Sequence, residues 1–372
     1  MNKRKIIVCS NSAWNLMNFR GGLIRELVLQ GHDVLAVAPA DDYAEQVNDL
    51  GCRFVDLKMD SNGINPLKDL LLLLHLIKII WRERPDYFLG FTAKPNIYGS
   101  FAANLFNVRV LNNIAGLGSV FVQKSWLTNI VIMLYRLALT RSSKVFFQNM
   151  EDLSYFTEHK IVPPHTAERI PGSGVDTRKF KPQEFTNRGD RGIRFLFIGR
   201  LLWEKGIGEY VEAARLLGKK YPMVEFGVLG FLGSKNSGAI SSEQLNNWAN
   251  EGLIRYYGSS NDVRPHLLAA DCVVLPSYYR EGVPRTLLEA ASMGKPIITS
   301  DNVGCRDVVT HGINGFLCHA RNAADLTEKI EQFIQLPEDL AIEMGKKGRE
   351  KVILNFDERI VIDRYTDFIN SK

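Results

Sequence analysis

The feature that constrains this chain most is an alternation, repeated in two series, of short apolar strand-like runs with glycine-bearing turns and helical stretches. The first series predicts a strand at residues 5–9, a loop through Gly21 and Gly22, a helix at 23–30 stopped by Gly31, and a strand at 34–38. It continues with a strand at 53–57, a long helix from Pro66 and a strand at 87–90. The second series predicts strands at 194–198, 224–229, 253–257, 272–275 and 296–299, with helices near 208–217 and 285–293. Such alternation argues for parallel sheets covered by crossover helices. Between the series, residues 161–190 carry Pro163, Pro164, Pro171 and Pro182 with several glycines, so regular structure is expected to break there.

A length of 372 residues suits two domains. The expected division is 1–175 and 176–355, with 356–372 as a mixed-face helix crossing back to the first domain. The fold class is therefore α/β, with two doubly wound, Rossmann-like domains facing across a crevice. In open parallel sheets ligands bind beyond the carboxyl ends of the strands, so the loops after strands are where chemistry is expected.

Charge and cysteine content narrow the function classes. The net charge is only +5, but residues 61–144 hold ten Lys/Arg against three acids, and no acid occurs from Tyr87 to Met150. Two leucine- and isoleucine-rich segments, 67–81 and 126–139, lie in this basic region. Both are too short or too interrupted by charge for the roughly 20 apolar residues of a spanning helix. They read either as interfacial helices on an anionic leaflet or as the cover of the first sheet. The opening residues read as a first strand rather than a signal peptide. The five cysteines follow no disulfide or zinc spacing and suit a reducing compartment. A nucleic-acid partner is not expected, because the basic region lacks an interleaved aromatic platform.

The most informative segment runs from Leu275 to Ala290 and contains Glu281-Gly282-Val283-Pro284-Arg285-Thr286-Leu287-Leu288-Glu289. It follows a buried strand and opens a helix, whose N-terminus suits a diphosphate. Glu281 and Glu289 would repel phosphate and are expected to bind sugar and ribose hydroxyls. A second segment, Gly199-Arg200-Leu201-Leu202-Trp203-Glu204-Lys205-Gly206, brings Arg200 and Lys205 onto one loop, where two cations can neutralise a departing diphosphate. No Asp-x-Asp pair occurs, which favours an arrangement without metal or other cofactor.

The E-G-x-P-x-x-L-L-E-A and G-R-L-x-x-E-K-G strings resemble the signatures of retaining family 4 glycosyltransferases of the GT-B fold. That resemblance implies that Glu281 contacts the donor sugar and Glu289 the nucleotide ribose, with Gly282, Val283, Pro284, Arg285, Thr286, Leu287 and Gly199 around the donor and Arg200 and Lys205 catalytic. In the first half, Gly21 and Gly22 after Arg20 allow either close approach of phosphate or acceptor to the backbone, or a tight turn with no ligand. Asn112-Asn113-Ile114-Ala115-Gly116-Leu117-Gly118-Ser119 resembles an acceptor-side loop of bacterial polysaccharide transferases, and Gly172 to Asp176 an interdomain turn. Where many relatives carry a histidine, this chain has Phe91-Thr92-Ala93-Lys94-Pro95-Asn96. Lys94 is then an acceptor-phosphate contact, a donor contact or part of the basic surface.

The resemblance, closest to bacterial O-antigen, capsule and lipid-linked glycan transferases, implies a UDP-sugar donor, a polyprenyl-diphosphate-linked saccharide acceptor, and a cytoplasmic enzyme peripheral to the inner membrane face. Transfer of N-acetylgalactosamine in α-1,3 linkage is the expected case. A nucleotide-sugar 2-epimerase or soluble-acceptor transferase on the same scaffold, and a non-catalytic nucleotide-sugar or membrane-binding scaffold, are the alternatives.

Overall fold

The computed structural model describes residues 3–60, 63, 65–116, 126–183, 191–232 and 238–371. They form two compact units, Met1–Ser173 with Glu358–Lys372, and Gly174–Asp357.

The sheet of the first unit contains β1 (Lys5–Cys9), β2 (Asp33–Ala38), β3 (Arg53–Asp56), β4 (Tyr87–Phe91), β5 (Arg109–Ile114), β6 (Lys144–Phe147) and β7 (Ala167–Arg169). Its order is β3-β2-β1-β4-β5-β6-β7, with every pairing parallel. Strands buried on both faces need continuous apolar runs, and Ile6-Ile7-Val8 is one. Side chains alternate between the faces. Ile6, Val8 and Leu89 pack in one cluster with Leu23, Ile24, Val361, Ile362 and Tyr365, whereas Ile7, Leu35 and Phe88 pack in another with Leu72, Leu76 and Ile80 of the helix Pro66–Glu83.

Three expectations change in this unit. The chain is helical from Ala13 to Leu29, with a wide π turn at Leu16–Arg20, so Gly21 and Gly22 lie in a helix rather than a strand-to-helix loop. β7 lies inside the stretch expected to be irregular; it pairs only with β6, through Ala167, Glu168 and Arg169. The final helix is Glu358–Asn370, and it belongs to the first unit; Phe356 instead ends the preceding helix Glu338–Phe356. Asp357 breaks the two apart in extended conformation, held by bridging to Val175.

The second unit has β8 (Arg194–Ile198), β9 (Glu225–Leu229), β10 (Arg255–Tyr256), β11 (Cys272–Leu275), β12 (Ile297–Ser300) and β13 (Gly315–Cys318), in the parallel order β10-β9-β8-β11-β12-β13. The order reverses at β8, so the point where crossovers leave in opposite directions lies between the ends of β8 and β11. That is where an open parallel sheet leaves a crevice for ligand. All five cysteines are buried and none is in a disulfide. Among the described residues no helix is long and apolar enough to cross a membrane.

Candidate active site

The two loops that leave β8 and β11 meet at this reversal. After β8, the Gly199 amide donates to the Leu229 carbonyl at 3.1 Å, and buried Leu201 and Leu202 anchor the loop before the turn Trp203–Lys205. Gly206 closes it with φ of 79°, and a Cβ there would stand 2.2 Å from the Pro276 carbonyl oxygen. Only glycine permits that approach. The loop after β8 is thereby pressed onto the loop after β11, and the Tyr278 and Tyr279 amides both donate to the Glu204 carbonyl, at 2.9 and 3.0 Å.

Across this contact the buried Lys205 ammonium pairs with the Glu281 carboxylate, their side chains 10% and 12% exposed. The Ser277 hydroxyl lies 3.0 Å from Glu281 Oε1 and 3.2 Å from the Glu204 carbonyl, so one proton serves two acceptors. Two cations lie over the Tyr279 ring: Lys205 Nζ is 5.4 Å from its centroid and the exposed Arg200 guanidinium 5.9 Å. The end of β12 supports the loop from beneath. Ser300 Oγ donates to the Ser277 carbonyl, and Asn302 Nδ2 donates to the Tyr279 carbonyl at 2.8 Å. Gly304, at φ 78°, approaches so closely that a Cβ would stand 1.9 Å from the Gly282 carbonyl oxygen.

Gly282, Val283 and Pro284 are buried and lead into the helix Arg285–Ser292, which no side chain caps. The positive end of that helix therefore faces the same loop. Thr286 and Leu287 lie in its first turn, and Arg285 Nε donates to Glu289 Oε1 at 3.1 Å. Burial raises the Glu289 carboxyl above the usual carboxylate range, against the opposing pull of Arg285. A carboxylate accepts several hydrogen bonds, so one contact to Arg285 leaves acceptor capacity for hydroxyl groups.

Comparison with known proteins decides the class. A family model described as "Glycosyl transferases group 1" matches residues 178–351, and one described as "Glycosyl transferase 4-like domain" matches residues 19–172. A solved glycosyltransferase from Rickettsia africae superposes with TM-score 0.79 at 20% identity, covering 99% of this chain and 98% of that one. This chain is a glycosyltransferase of the GT-B fold. Among curated proteins, it is 28% identical over 96% of both chains to the N,N'-diacetylbacillosaminyl-diphospho-undecaprenol α-1,3-N-acetylgalactosaminyltransferase of Campylobacter jejuni. It is 26% identical, over 83% of this chain and 82% of the other, to the UDP-Gal:α-D-GlcNAc-diphosphoundecaprenol α-1,3-galactosyltransferase of Escherichia coli.

In this glycosyltransferase the residues expected on the acceptor side all belong to the first unit, and several make packing contacts within it. Arg20 is buried, its guanidinium 4.2 Å from the centroid of the Phe91 ring. Gly21 faces Leu50, and Gly22 admits the Glu358 carboxylate to within 2.9 Å of where a Cβ would stand. Asn112 is fully buried; its amide nitrogen donates to Asn96 Oδ1 at 3.1 Å and Ser100 Oγ at 2.9 Å, and its oxygen accepts from Ser142 Oγ at 2.7 Å. Both ends of the amide are thus in use inside the core. Lys94 pairs with Asp69 at 2.5 Å, and Asp69 also accepts from Tyr98 at 3.0 Å, so its charge is neutralised within the unit. Leu117, Gly118 and Ser119 lie outside the described residues.

The loop contacts also involve residues to which the two motifs do not point. Ser277 and Tyr279 lie within the Leu275–Ala290 segment but at no motif position. Asn302 and Gly304 lie in the loop after a different strand, β12, and the signal for them is a glycine shortly after a buried apolar run.

Proposed function

We propose that this glycosyltransferase moves a hexose or N-acetylhexosamine, with N-acetylgalactosamine in α-1,3 linkage as the best candidate, from a UDP-sugar to a polyprenyl-diphosphate-linked saccharide, with retention of configuration. The observation that carries the reading is the juxtaposition of Lys205, Glu281 and Arg200 beside an uncapped helix end at the β8/β11 reversal. The activities of the Campylobacter and Escherichia proteins, both on diphospho-undecaprenol-linked sugars, support the lipid-linked acceptor.

The donor diphosphate exchanges places with Glu281 as the partner of Lys205. That exchange frees the Glu281 carboxylate to accept hydroxyls of the donor sugar while Lys205 and Arg200 take up the charge that grows on the leaving group. The bond from the anomeric carbon to the diphosphate oxygen breaks, the acceptor oxygen bonds to that carbon on the same face, and the acceptor proton passes to the departing diphosphate. Glu289 accepts from the ribose hydroxyls. With two protein cations at the leaving group, transfer is expected to proceed without a divalent metal or other cofactor.

The first unit bears a surface suited to the inner leaflet of a membrane. Leu67, Leu70, Leu71, Leu74 and Trp81 are exposed on the helix Pro66–Glu83 beside Lys68, Lys78 and Arg82. Trp126, Ile130, Met133 and Leu137 are exposed on Trp126–Leu139 beside Arg136. Apolar residues flanked by cations favour anionic interfaces, which supports a peripheral enzyme at the cytoplasmic face of the membrane.

The test is transfer in detergent with a panel of UDP-sugars and synthetic polyprenyl-diphosphate N-acetylhexosamine acceptors, in EDTA, with Glu281→Ala as control. Product from one donor, with retained anomeric configuration and lost in the control, is expected. Sugar released or epimerised equally well without acceptor would replace this reading with the epimerase alternative.

A further inference from the structure

An open recess of about 260 Å³ on the second unit is lined by Trp203, Gly208, Glu209, Tyr278, Arg321 and Ala323. Trp203 is 42% exposed, and its ring is perpendicular to that of Trp248 at 5.9 Å. A Cβ on Gly208 would stand 2.9 Å from the indole, so glycine lets the ring lie against the helix. The Arg321 guanidinium sits 4.4 Å from the centroid of Tyr278, on a backbone with φ of 59°. Among the described residues neither Glu209 nor Arg321 forms an ion pair with another side chain.

These groups differ in chemistry from the donor centre. Their charges balance, and Glu209 would repel a diphosphate. An exposed indole offers a flat apolar face to the C–H side of a pyranose, Glu209 accepts from its hydroxyls, and Arg321 donates to its ring or hydroxyl oxygens. The volume falls just below the roughly 300 Å³ at which pockets for drug-sized ligands begin, a size that suits a single sugar ring. We infer that this recess is a second saccharide-binding site, holding one neutral pyranose of a glycan apart from the donor. The inference rests on the glycan-transfer reading above. The site is wired to the donor loops: Trp203 and Lys205 share one turn, and Tyr278 adjoins Tyr279, with both amides on the Glu204 carbonyl.

The experiment titrates the full-length protein, its donor centre saturated with UDP, with hexose and N-acetylhexosamine disaccharides, read by saturation-transfer NMR and tryptophan fluorescence. Binding is expected, with Glu209→Gln and Arg321→Ala each weakening it about fivefold, the loss of one hydrogen bond, and Trp203→Ala abolishing it. Glu281→Gln is expected to lose transfer while keeping this binding, so failure of the transfer reading and failure of the recess are told apart. Absence of saccharide binding, binding unaffected by both Glu209→Gln and Arg321→Ala, binding lost with Glu281→Gln, or displacement by uridine would each overturn the proposal.

Discussion

Lys205 and Glu281, 76 residues apart in the chain, form an ion pair across the two loops that meet where the second sheet reverses its strand order. Breaking a buried pair by removing one partner leaves the other charge uncompensated, at a cost of about 3–5 kcal/mol. Lys205→Ala is therefore expected to lower the melting temperature and to reduce kcat about 10²-fold or more, the scale on which leaving-group stabilisation is lost. The double variant Lys205→Met with Glu281→Gln is expected to regain much of the stability and none of the activity. Thermal denaturation and transfer kinetics on the three proteins check both halves.

Gly304→Ala is expected to damage donor binding from a distance in sequence. Its φ of 78° and the 1.9 Å approach of a Cβ to the Gly282 carbonyl force the loop carrying Glu281 to move. Backbone strain of this kind costs about 1–3 kcal/mol. A weakened UDP titration is the expected signature; unchanged UDP affinity would count against the loop's role.

In the first unit, Tyr365 is fully buried between Phe91 and Phe146, and its hydroxyl accepts from Asn113 Nδ2 at 3.0 Å. Tyr365→Phe strands that buried donor, costing about 1–3 kcal/mol. Chemical denaturation is expected to register the loss, with the KM for the donor unchanged.

Acid stability is expected to depend on Glu83. Hydrogen bonds from Arg53 at 2.8 Å and from Lys5 at 2.9 Å lower its carboxyl to about 2. A carboxyl depressed in the folded state stabilises the fold fully above its unfolded value, near 4.5, and that contribution fades as pH falls toward 2. Glu83→Gln is expected to flatten the stability profile between those values and to leave the slope above pH 6 unchanged, as followed by circular dichroism during acid titration.

Membrane docking is tested by Leu70→Ser with Leu74→Ser. Both side chains are exposed, so stability is expected to change by less than about 0.5 kcal/mol each. Each buries about 1.5–3 kcal/mol of apolar surface if inserted in lipid. Co-sedimentation with anionic phosphatidylglycerol vesicles is expected to fall at least about tenfold, whereas unchanged sedimentation would rule out this helix as the contact.

Much of the architecture was legible because parallel strands covered on both faces must be apolar throughout; Cys272–Leu275 and the helix Trp126–Leu139 lie where residue pattern alone places them. The errors share a physical origin. Gly21 and Gly22 suggested a loop, yet a helix runs through both, with Leu50 at ordinary contact distance from Gly21 and the Glu358 carboxylate close against Gly22. Ala167-Glu168-Arg169 carries no apolar signal because an edge strand needs only one partner. At the candidate site, the segments carrying Glu281, Glu289, Arg200 and Lys205 stand out in the sequence, but the Ser277, Asn302 and Gly304 contacts exist only once three separate strands align. No window of sequence contains them.

The last helix, Glu358–Asn370, completes the core of the unit that begins the chain, contributing Val361, Ile362, Tyr365 and Ile369 to the face formed by Ile6, Val8 and Leu89. On the ribosome, Met1–Ser173 therefore keep that face uncovered until Glu358–Asn370 have emerged, whereas Gly174–Asp357 is one continuous stretch with all its strands to hand. Chains stalled or clipped before Glu358 would present an open apolar surface to chaperones and proteases, which the helix Glu358–Asn370 otherwise seals.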